Sequence, residues 1–458
     1  MRLLFACLAL LVSATAEAAP EPVARAKVER HGDKWTAEYE LGAPAPVWVF
    51  PMSILPRVRK ESWRLRTVRV LTPGVTLKRL GNYDALQATS GNVPRRVKLS
   101  FTPFVEDIEA GYDAALRLTD GSVALYADAF KVVPMDSAAA AARAPADDSA
   151  LPGIEAATRV TFVDRAGPVL VRGKREARAT LDDGNAYVLF GRARPIIGPA
   201  MTTILDPGLP KWISEHLETN LPKVLSVYRQ QLGPSPVGQP TLLVSWAGPT
   251  AEQVSLGGSV LPGMVVMTLE GDGIVKPNEA VGHHARWFVA HEAAHFWLGQ
   301  AVGYSERSES WITEGGADLL AFRATATADP SFDVKARLSQ ARRECEPFLA
   351  NGGVATAYER ENDFRAYYAC GAIIALAAER ASGGDFGNFV RTLIEDHGGD
   401  GKVTRAEWLS LLEERKPGLA AAVATLLDQK QANPAGALDE FIRTASIGDQ
   451  FAAPKAAR

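Results

Sequence analysis

One stretch constrains this chain more than any other: Arg286 to Asp318, reading RWFVAHEAAHFWLGQAVGYSERSESWITEGGAD. His291 and His295 stand four residues apart in it, and on a helix such a pair lies on one face, one turn apart. Two imidazoles so placed can bind one zinc ion, and Glu292 points toward the same side. A catalytic zinc takes a third protein ligand and keeps a fourth position open. Glu314 is the candidate third ligand. It follows a polar turn and opens a second helical run to Ala324, with eighteen residues between it and His295. HExxH can also arise on an amphipathic helix with its histidines as buried polar residues. Here Glu314 and the flanking Trp and Gly residues favour the ligand reading.

The spacing and its neighbours resemble the gluzincin metallopeptidases, and most closely the M1 aminopeptidase family. The WLNEG of that family reads here as Trp311-Ile312-Thr313-Glu314-Gly315, and its HxWFG as His295-Phe296-Trp297-Leu298-Gly299. M61-type gluzincins are a neighbouring reading. The resemblance implies one zinc ion held by His291, His295 and Glu314. Glu292 would take a proton from the attacking water and pass it to the leaving amine. Asp318 lies one helical turn after Glu314, where thermolysin-like gluzincins carry an Asp. Ligating histidines usually give their other N–H to a carboxylate, so Asp318 is expected to hold one of them. An acid favoured by the dipole of a first helical turn is the alternative.

Two further family motifs match in part. Tyr368-Ala369-Cys370-Gly371 resembles the M1 Tyr-x-Lys-Gly segment, whose tyrosine stabilises the tetrahedral oxyanion. Tyr368 is the expected donor and Tyr367 the fallback, while two aromatics packing into a buried helix is the other reading. M1 enzymes also carry Gly-x-Met-Glu-Asn before the zinc helix, with a Glu that binds the substrate amine. Gly263-Met264-Val265-Val266 is the nearest counterpart, and no Glu follows the Met. Gly263 and Met264 are the expected substrate-binding positions, on a strand from Gly257 to Leu269 that could add a substrate strand. Glu270 lies several residues on, which changes its position and its face on a strand. His283 and His284 read as helix-start or surface residues, with a cleft role as the alternative.

The rest of the chain fits this plan. Met1 to Ala19, one Arg and then an apolar run ending Ala16-Glu17-Ala18, reads as a bacterial signal peptide. A periplasmic or secreted location is expected, with no stable membrane insertion. Net charge of −3 gives no footprint for nucleic acid. Cys345 and Cys370 remain beyond the leader; an oxidising compartment permits them to pair, and free buried thiols are the alternative. Residues 20–198 read as a β-rich N-terminal domain, through strands such as Trp35–Tyr39, Val47–Phe50, Thr67–Leu71, Arg96–Phe101, Arg159–Val163, Val169–Val171 and Ala186–Phe190. Within it, residues 135–152 read as a loop or linker, or a short Ala-rich helix. Residues 199–400 form the expected peptidase domain, opened by an amphipathic helix over Pro207–Gln231 and a buried strand at Leu242–Trp246. Residues 401–458 form a helical C-terminal extension. Asp396 to Glu407 fits parts of an EF-hand loop but lacks the third-position carboxylate, and Thr404 with Glu407 also reads as a helix capping box.

The expected fold is therefore α+β: an antiparallel β-sandwich-like domain followed by a thermolysin-like, mainly helical catalytic domain. The expected function is peptide-bond hydrolysis on a peptide or protein substrate, with exo- and endopeptidase action both open. The alternative is a weak or inactive zinc-binding relative serving as a peptide-binding or envelope module. Oligomeric state has no signal in the sequence.

Overall fold

The computed structural model describes residues 23–108, 111–155, 158–182, 184–250, 254–360 and 364–452. The expected leader, residues 1–19, lies outside them. The chain forms two compact units, Met1–Gly111 with Ala127–Ala166 and Arg178–Gly184, and Tyr112–Tyr126 with Gly167–Ala177 and Asn185–Arg458.

The first unit is built from two sheets. One runs in the order Ala179–Leu181, Thr158–Asp164, Ala24–His31, Lys34–Leu41, Arg96–Phe101, Val68–Val70. Only the pairing of Ala24–His31 with Thr158–Asp164 is parallel. The other sheet is antiparallel, in the order Val133–Met135, Val47–Phe50, Tyr83–Ala88, Val75–Leu80. Alternation drives the burial: Trp35, Ala37, Tyr39 and Leu41 turn inward from one strand. The Ala-rich stretch resolves in favour of the helix, with Ala138–Arg143 capped by Ser137 and Ala141 buried.

The second unit has an antiparallel sheet of Lys174–Glu176, Val169–Val171, Tyr187–Phe190, Val123–Tyr126 and Ala115–Arg117. The compact units are thus interleaved in sequence, and they do not follow a single boundary at residue 199. Short β-strands of both units look alike in sequence, so periodicity alone carries no sign of which unit they join. Residues 401–452 pack in this same unit.

A second sheet of this unit positions the site. Its order is Ile196–Ile197, Thr202–Leu205, Thr241–Gly248, Met264–Glu270, Ser255–Leu261. The middle strands are parallel, and Ser255–Leu261 returns antiparallel as the free edge. Helix Lys211–Leu232 buries Ile213, Leu217, Leu221, Val224, Leu225 and Tyr228, the spacing of one helical face. Helices Glu279–Ala294, Trp311–Ala328, Val334–Asn351 and Arg365–Ala381 share that core. Thr404 and Glu407 form the capping box of helix Arg405–Arg415, and Glu407 accepts from Thr404 N at 2.7 Å.

One buried carboxylate ties the second unit's elements together. Asp206 accepts from Thr119 N at 3.1 Å, Gly208 N at 2.9 Å and Trp246 N at 3.0 Å, and from the Thr119 hydroxyl. Asp206→Ala strands all these donors. It is expected to lower the unfolding free energy by about 2–4 kcal/mol, read by urea denaturation; a loss under about 1 kcal/mol would show that water replaces the carboxylate.

Candidate active site

The helix carrying the histidines begins at Asn278, whose side chain accepts from Val281 N, and runs from Glu279 to Ala294. Tyr228 anchors it from the neighbouring helix, donating to Ala290 O at 2.8 Å. The helix must stop just after His295, and Gly299 stops it. Its φ of +148° turns the chain back, and a Cβ there would lie 3.1 Å from His295 O. This return brings Leu298 O within 3.0 Å of His295 Nδ1. A carbonyl only accepts, so Nδ1 carries the proton and Nε2 offers its lone pair. His291 is fixed the same way, with Nδ1 2.8 Å from Asp318 Oδ1.

Glu314 and Asp318 come from one face of helix Trp311–Ala328, one turn apart. Trp311 seats the start of that helix edge-on against Trp408, ring centroids 4.9 Å apart. Two glycines then let the helix touch Arg365–Ala381 backbone to backbone. A Cβ on Gly315 would fall 2.1 Å from the Gly371 carbonyl carbon, and one on Gly371 2.8 Å from Trp311 O. Glu314 precedes the first of these glycines, and Tyr368 lies one turn before the second. The contact therefore brings the carboxylate and the phenol toward each other, and the Glu314 charge acts on the Tyr368 hydroxyl.

The donor set fits a zinc ion. His291 Nε2 and His295 Nε2 are 3.2 Å apart, and Glu314 Oε2 lies 3.4 Å from the first and 3.6 Å from the second. Ligands at about 2.0–2.1 Å in tetrahedral array are separated by about 3.3 Å, so these atoms mark one face of such a site. Both Nε2 atoms are acceptors once their Nδ1 protons are assigned. Three lone-pair donors thus converge on one point in a buried site, which is repulsive without a cation or a proton. Among the described residues these three form the metal-ligating group.

Protonation follows the same geometry. Burial alone lowers the basicity of His291, but Asp318 and Glu314 outweigh it and raise it to about 10. His295 is also raised, burial again opposing and Glu314 prevailing. Burial works on Glu314 in the opposite sense, yet the imidazoles hold it well below the usual carboxylate range. Glu292 faces no such pairing: burial pushes it up, against the pull of His291 and His295. Burial and then Glu314 raise the Tyr368 phenol far above its ordinary value, so it stays a neutral donor.

The expected positions fall out as follows. His291, His295, Glu314, Glu292, Asp318 and Tyr368 are gathered at one place. Tyr367 is turned away: its hydroxyl accepts from Tyr358 N at 3.2 Å and donates to Ala355 O at 3.3 Å. Gly263 and Met264 stand apart from these residues. Gly263 lies in the turn between two strands, and Met264 is buried on a strand paired on both sides, so neither offers an edge to a substrate strand. The free edge is Ser255–Leu261, whose Gly258 lies against Phe288 of the histidine helix. Val260 O on that edge accepts from the Tyr112 hydroxyl at 2.8 Å. Burial and then the Glu292 charge push the Tyr112 phenol up. No sequence motif marks Tyr112. His283 packs on Phe332 and His284 on Trp287. Cys345 and Cys370 are joined, Cα atoms 4.9 Å apart. The bond ties helix Arg365–Ala381 to Val334–Asn351, two residues beyond Tyr368.

No family model matches the chain, and no curated protein matches it. Solved structures do. An aminopeptidase N family protein from Idiomarina loihiensis is 13% identical with a TM-score of 0.63, over 91% of this chain and 78% of that one. An M1 zinc metallopeptidase from Deinococcus radiodurans is 16% identical, TM-score 0.51, over 90% of this chain and 93% of that one. Native yeast LTA4 hydrolase is 14% identical, TM-score 0.53, over 91% and 69%. The likeness is one of fold: a β-rich N-terminal part and a helical C-terminal part, as in the M1 zinc metallopeptidases.

Two outcomes are expected. A raised His291 holds its proton in the metal-free fold, so the stability it contributes is full below its ordinary value of 6.5 and is lost as pH rises through about 10. Zinc must displace that proton. Its affinity should therefore fall with falling pH, and titration calorimetry at pH 7 in buffers of different ionisation heat should show proton release; buffer-independent heats would contradict this. Cys345→Ala with Cys370→Ala opens a loop of sequence separation 25 and should cost about 3 kcal/mol of unfolding free energy. An unchanged urea midpoint would mean that packing alone holds the two helices.

Proposed function

We propose that this chain is an exported, single-zinc metallopeptidase that hydrolyses peptide bonds. One observation carries the reading. A buried acceptor, Glu292, next to His291 on the same helix, and a donor, Tyr368, stacked on the His291 ring, accompany the converging group His291, His295 and Glu314. A purely structural metal site would need neither, and such sites are usually closed and cysteine-rich.

When bound, zinc supplies a Lewis acid that polarises the scissile carbonyl and brings the pKa of a ligated water to about 7. The chain supplies the rest. Glu292 takes a proton from the attacking water and delivers it to the leaving nitrogen. Its burial makes it a stronger base than a solvated carboxylate, which suits that double task. Tyr368 donates to the oxygen of the attacked carbon as negative charge develops there. Asp318 fixes the tautomer and ring plane of His291, and Leu298 O does the same for His295. The free edge Ser255–Leu261 can receive a substrate backbone, because alternation turns the N–H and C=O of Gly258 outward.

Selection at the substrate's amino end has no acid on this edge. Ser255–Leu261 reads SLGGSVL, and Glu270, on the neighbouring strand, is bonded to the Thr250 hydroxyl. Cleavage need not begin at a free amine, so endopeptidase action on short chains is part of the proposal. For the leader, the reading is removal after Ala19, and N-terminal sequencing of the exported protein tests it.

The test of the activity is digestion of a mixed peptide library by zinc-loaded protein, read by mass spectrometry. Glu292→Gln should lower kcat by about 10²–10⁴, and Tyr368→Phe by about 10²–10³, with zinc content unchanged in both. Stepwise N-terminal loss would show an aminopeptidase that holds the amine by another group, and internal cuts an endopeptidase. No cleavage by zinc-loaded wild-type protein would overturn the reading in favour of a peptide-binding module.

A further inference from the structure

The Tyr368 ring has neighbours on more than one side. His291 lies over it at 5.5 Å with the planes 22° apart, and Phe364 meets it at 6.0 Å with the planes at 64°. The third neighbour is a cation. Arg365 stands three residues before Tyr368, on the same side of the helix, and sets its guanidinium 5.1 Å over the ring. That distance lies within the range of a cation–π contact. The guanidinium is held in turn from helix Val334–Asn351, where Glu344 accepts from one of its terminal nitrogens at 2.8 Å. Glu344 immediately precedes Cys345. The bond from Cys345 to Cys370 fixes the approach of the two helices, with Cα atoms 4.9 Å apart. A chain of contacts therefore runs from the disulfide through Glu344 and Arg365 to the phenol.

Arg365 stands where local rules favour a different residue. It is the first residue of helix Arg365–Ala381, and the first turn of that helix carries no acid. Peptide dipoles make a helix start positive, so an acid is the favoured choice there and a cation is disfavoured. The ion pair does not repay this in stability. The side chains of Arg365 and Glu344 are 51% and 33% exposed, and pairs so open to water contribute little. What the arrangement does accomplish is to cover an aromatic ring at the metal ligands with a flat, anchored group. A guanidinium lies flat on a ring face, whereas the ammonium of a lysine is a compact charge on a flexible stem.

A phenol that must donate to one developing oxyanion has little tolerance in place. Its ring swings about two side-chain torsions, and a displacement of about 1 Å can cost a hundredfold in rate. Tyr368 is only partly buried, and Phe364, its edgewise neighbour, is itself 41% exposed. Packing alone therefore leaves the ring room to swing. We infer that Arg365, oriented by Glu344, is a positioning residue for Tyr368: its guanidinium holds the phenol ring against His291, and so fixes where the hydroxyl donates. Arg365 touches neither the metal ligands nor the reacting atoms in this role, and acts through the tyrosine. This rests on the peptidase reading above and adds to it the residues that set its oxyanion donor.

The test compares Arg365→Gln, Arg365→Lys and Glu344→Gln, each made with Tyr368 present and again with Tyr368→Phe. All proteins are full-length and zinc-loaded, and the substrate is the library peptide that wild-type protein cleaves fastest. With Tyr368 present, Arg365→Gln should lower kcat by about tenfold or more, with KM and zinc content unchanged. Glu344→Gln should act in the same sense, and Arg365→Lys should fall between Arg365→Gln and wild type. With Tyr368→Phe the same substitutions should change kcat by less than about twofold, because the hydroxyl they place is gone. Equal losses in both backgrounds would make the ion pair a plain staple between helices. A raised KM with kcat kept would make Arg365 a substrate contact. Either result overturns the inference, as does a kcat that Arg365→Gln leaves unchanged, and each leaves the peptidase reading intact. Should wild-type protein cleave no peptide, the peptidase reading fails separately. A crystal structure of zinc-loaded Arg365→Gln protein then decides the positioning on its own. A Tyr368 ring moved off His291, or split over two rotamers, supports it, and an unmoved ring overturns it.

Discussion

The arrangement around the metal ligands depends on the backbone contact between Gly315 and Gly371. Two helices can approach this closely only where neither carries a side chain. The residues beside the contact then have no freedom about where they stand. Glu314 is pushed toward the histidines from one side, and Tyr368 toward Glu314 from the other. A methyl group at either glycine would wedge the helices apart by more than a hydrogen bond tolerates. The site is thus held by helix packing, and the buried disulfide between Cys345 and Cys370 fastens the same helix to Val334–Asn351.

Charge balance follows from that geometry. His291 lies between an acid on its Nδ1 side and another on its Nε2 side. Without an ion the cluster holds protons, which is why the imidazoles are raised and Glu314 is lowered together. Glu292 lies in the same buried volume but takes no part in the pairing, so burial governs it instead. The two glutamates, close in space, are driven in opposite directions by what each faces, and this separation of roles lets one ligate and the other exchange protons.

Much of this was legible in the chain because ligand spacing on helices is local. His291, His295 and Asp318 announce themselves by intervals of one turn, and Trp311, Gly315 and Gly299 by what surrounds them. Tyr368 could be preferred over Tyr367 only through its neighbours, since adjacent residues of a helix look alike until the packing face is known. Long-range features left weaker traces. Gly263 and Met264 carry the right letters but fall at a hairpin turn, and the exposed edge is the preceding strand. Which strand lies outermost is a property of the sheet order, absent from any single segment. Tyr112 reaches the edge strand from far along the sequence, and the cysteine pairing depends on two helices meeting. The short strands of residues 112–190 show their period, while their allegiance to one unit or the other depends on partners elsewhere.

The interleaving has a consequence for how such a chain comes into being. The backbone passes from one unit to the other at 111/112, 126/127, 166/167, 177/178 and 184/185, so no single cut leaves both units whole. Made from its N-terminus, the chain offers two hairpins of the second unit early, Ala115–Arg117 with Val123–Tyr126 and Val169–Val171 with Lys174–Glu176. Each keeps a bare edge until Tyr187–Phe190 arrives, for that strand pairs with both. Its residues are all buried in the finished fold. Until it is threaded between them, an emerging chain carries two open apolar seams, ready to join a stranger of the same kind. A late strand acting as the zip for two early ones makes the speed of chain delivery, as much as the final packing, a determinant of how much protein reaches its working form.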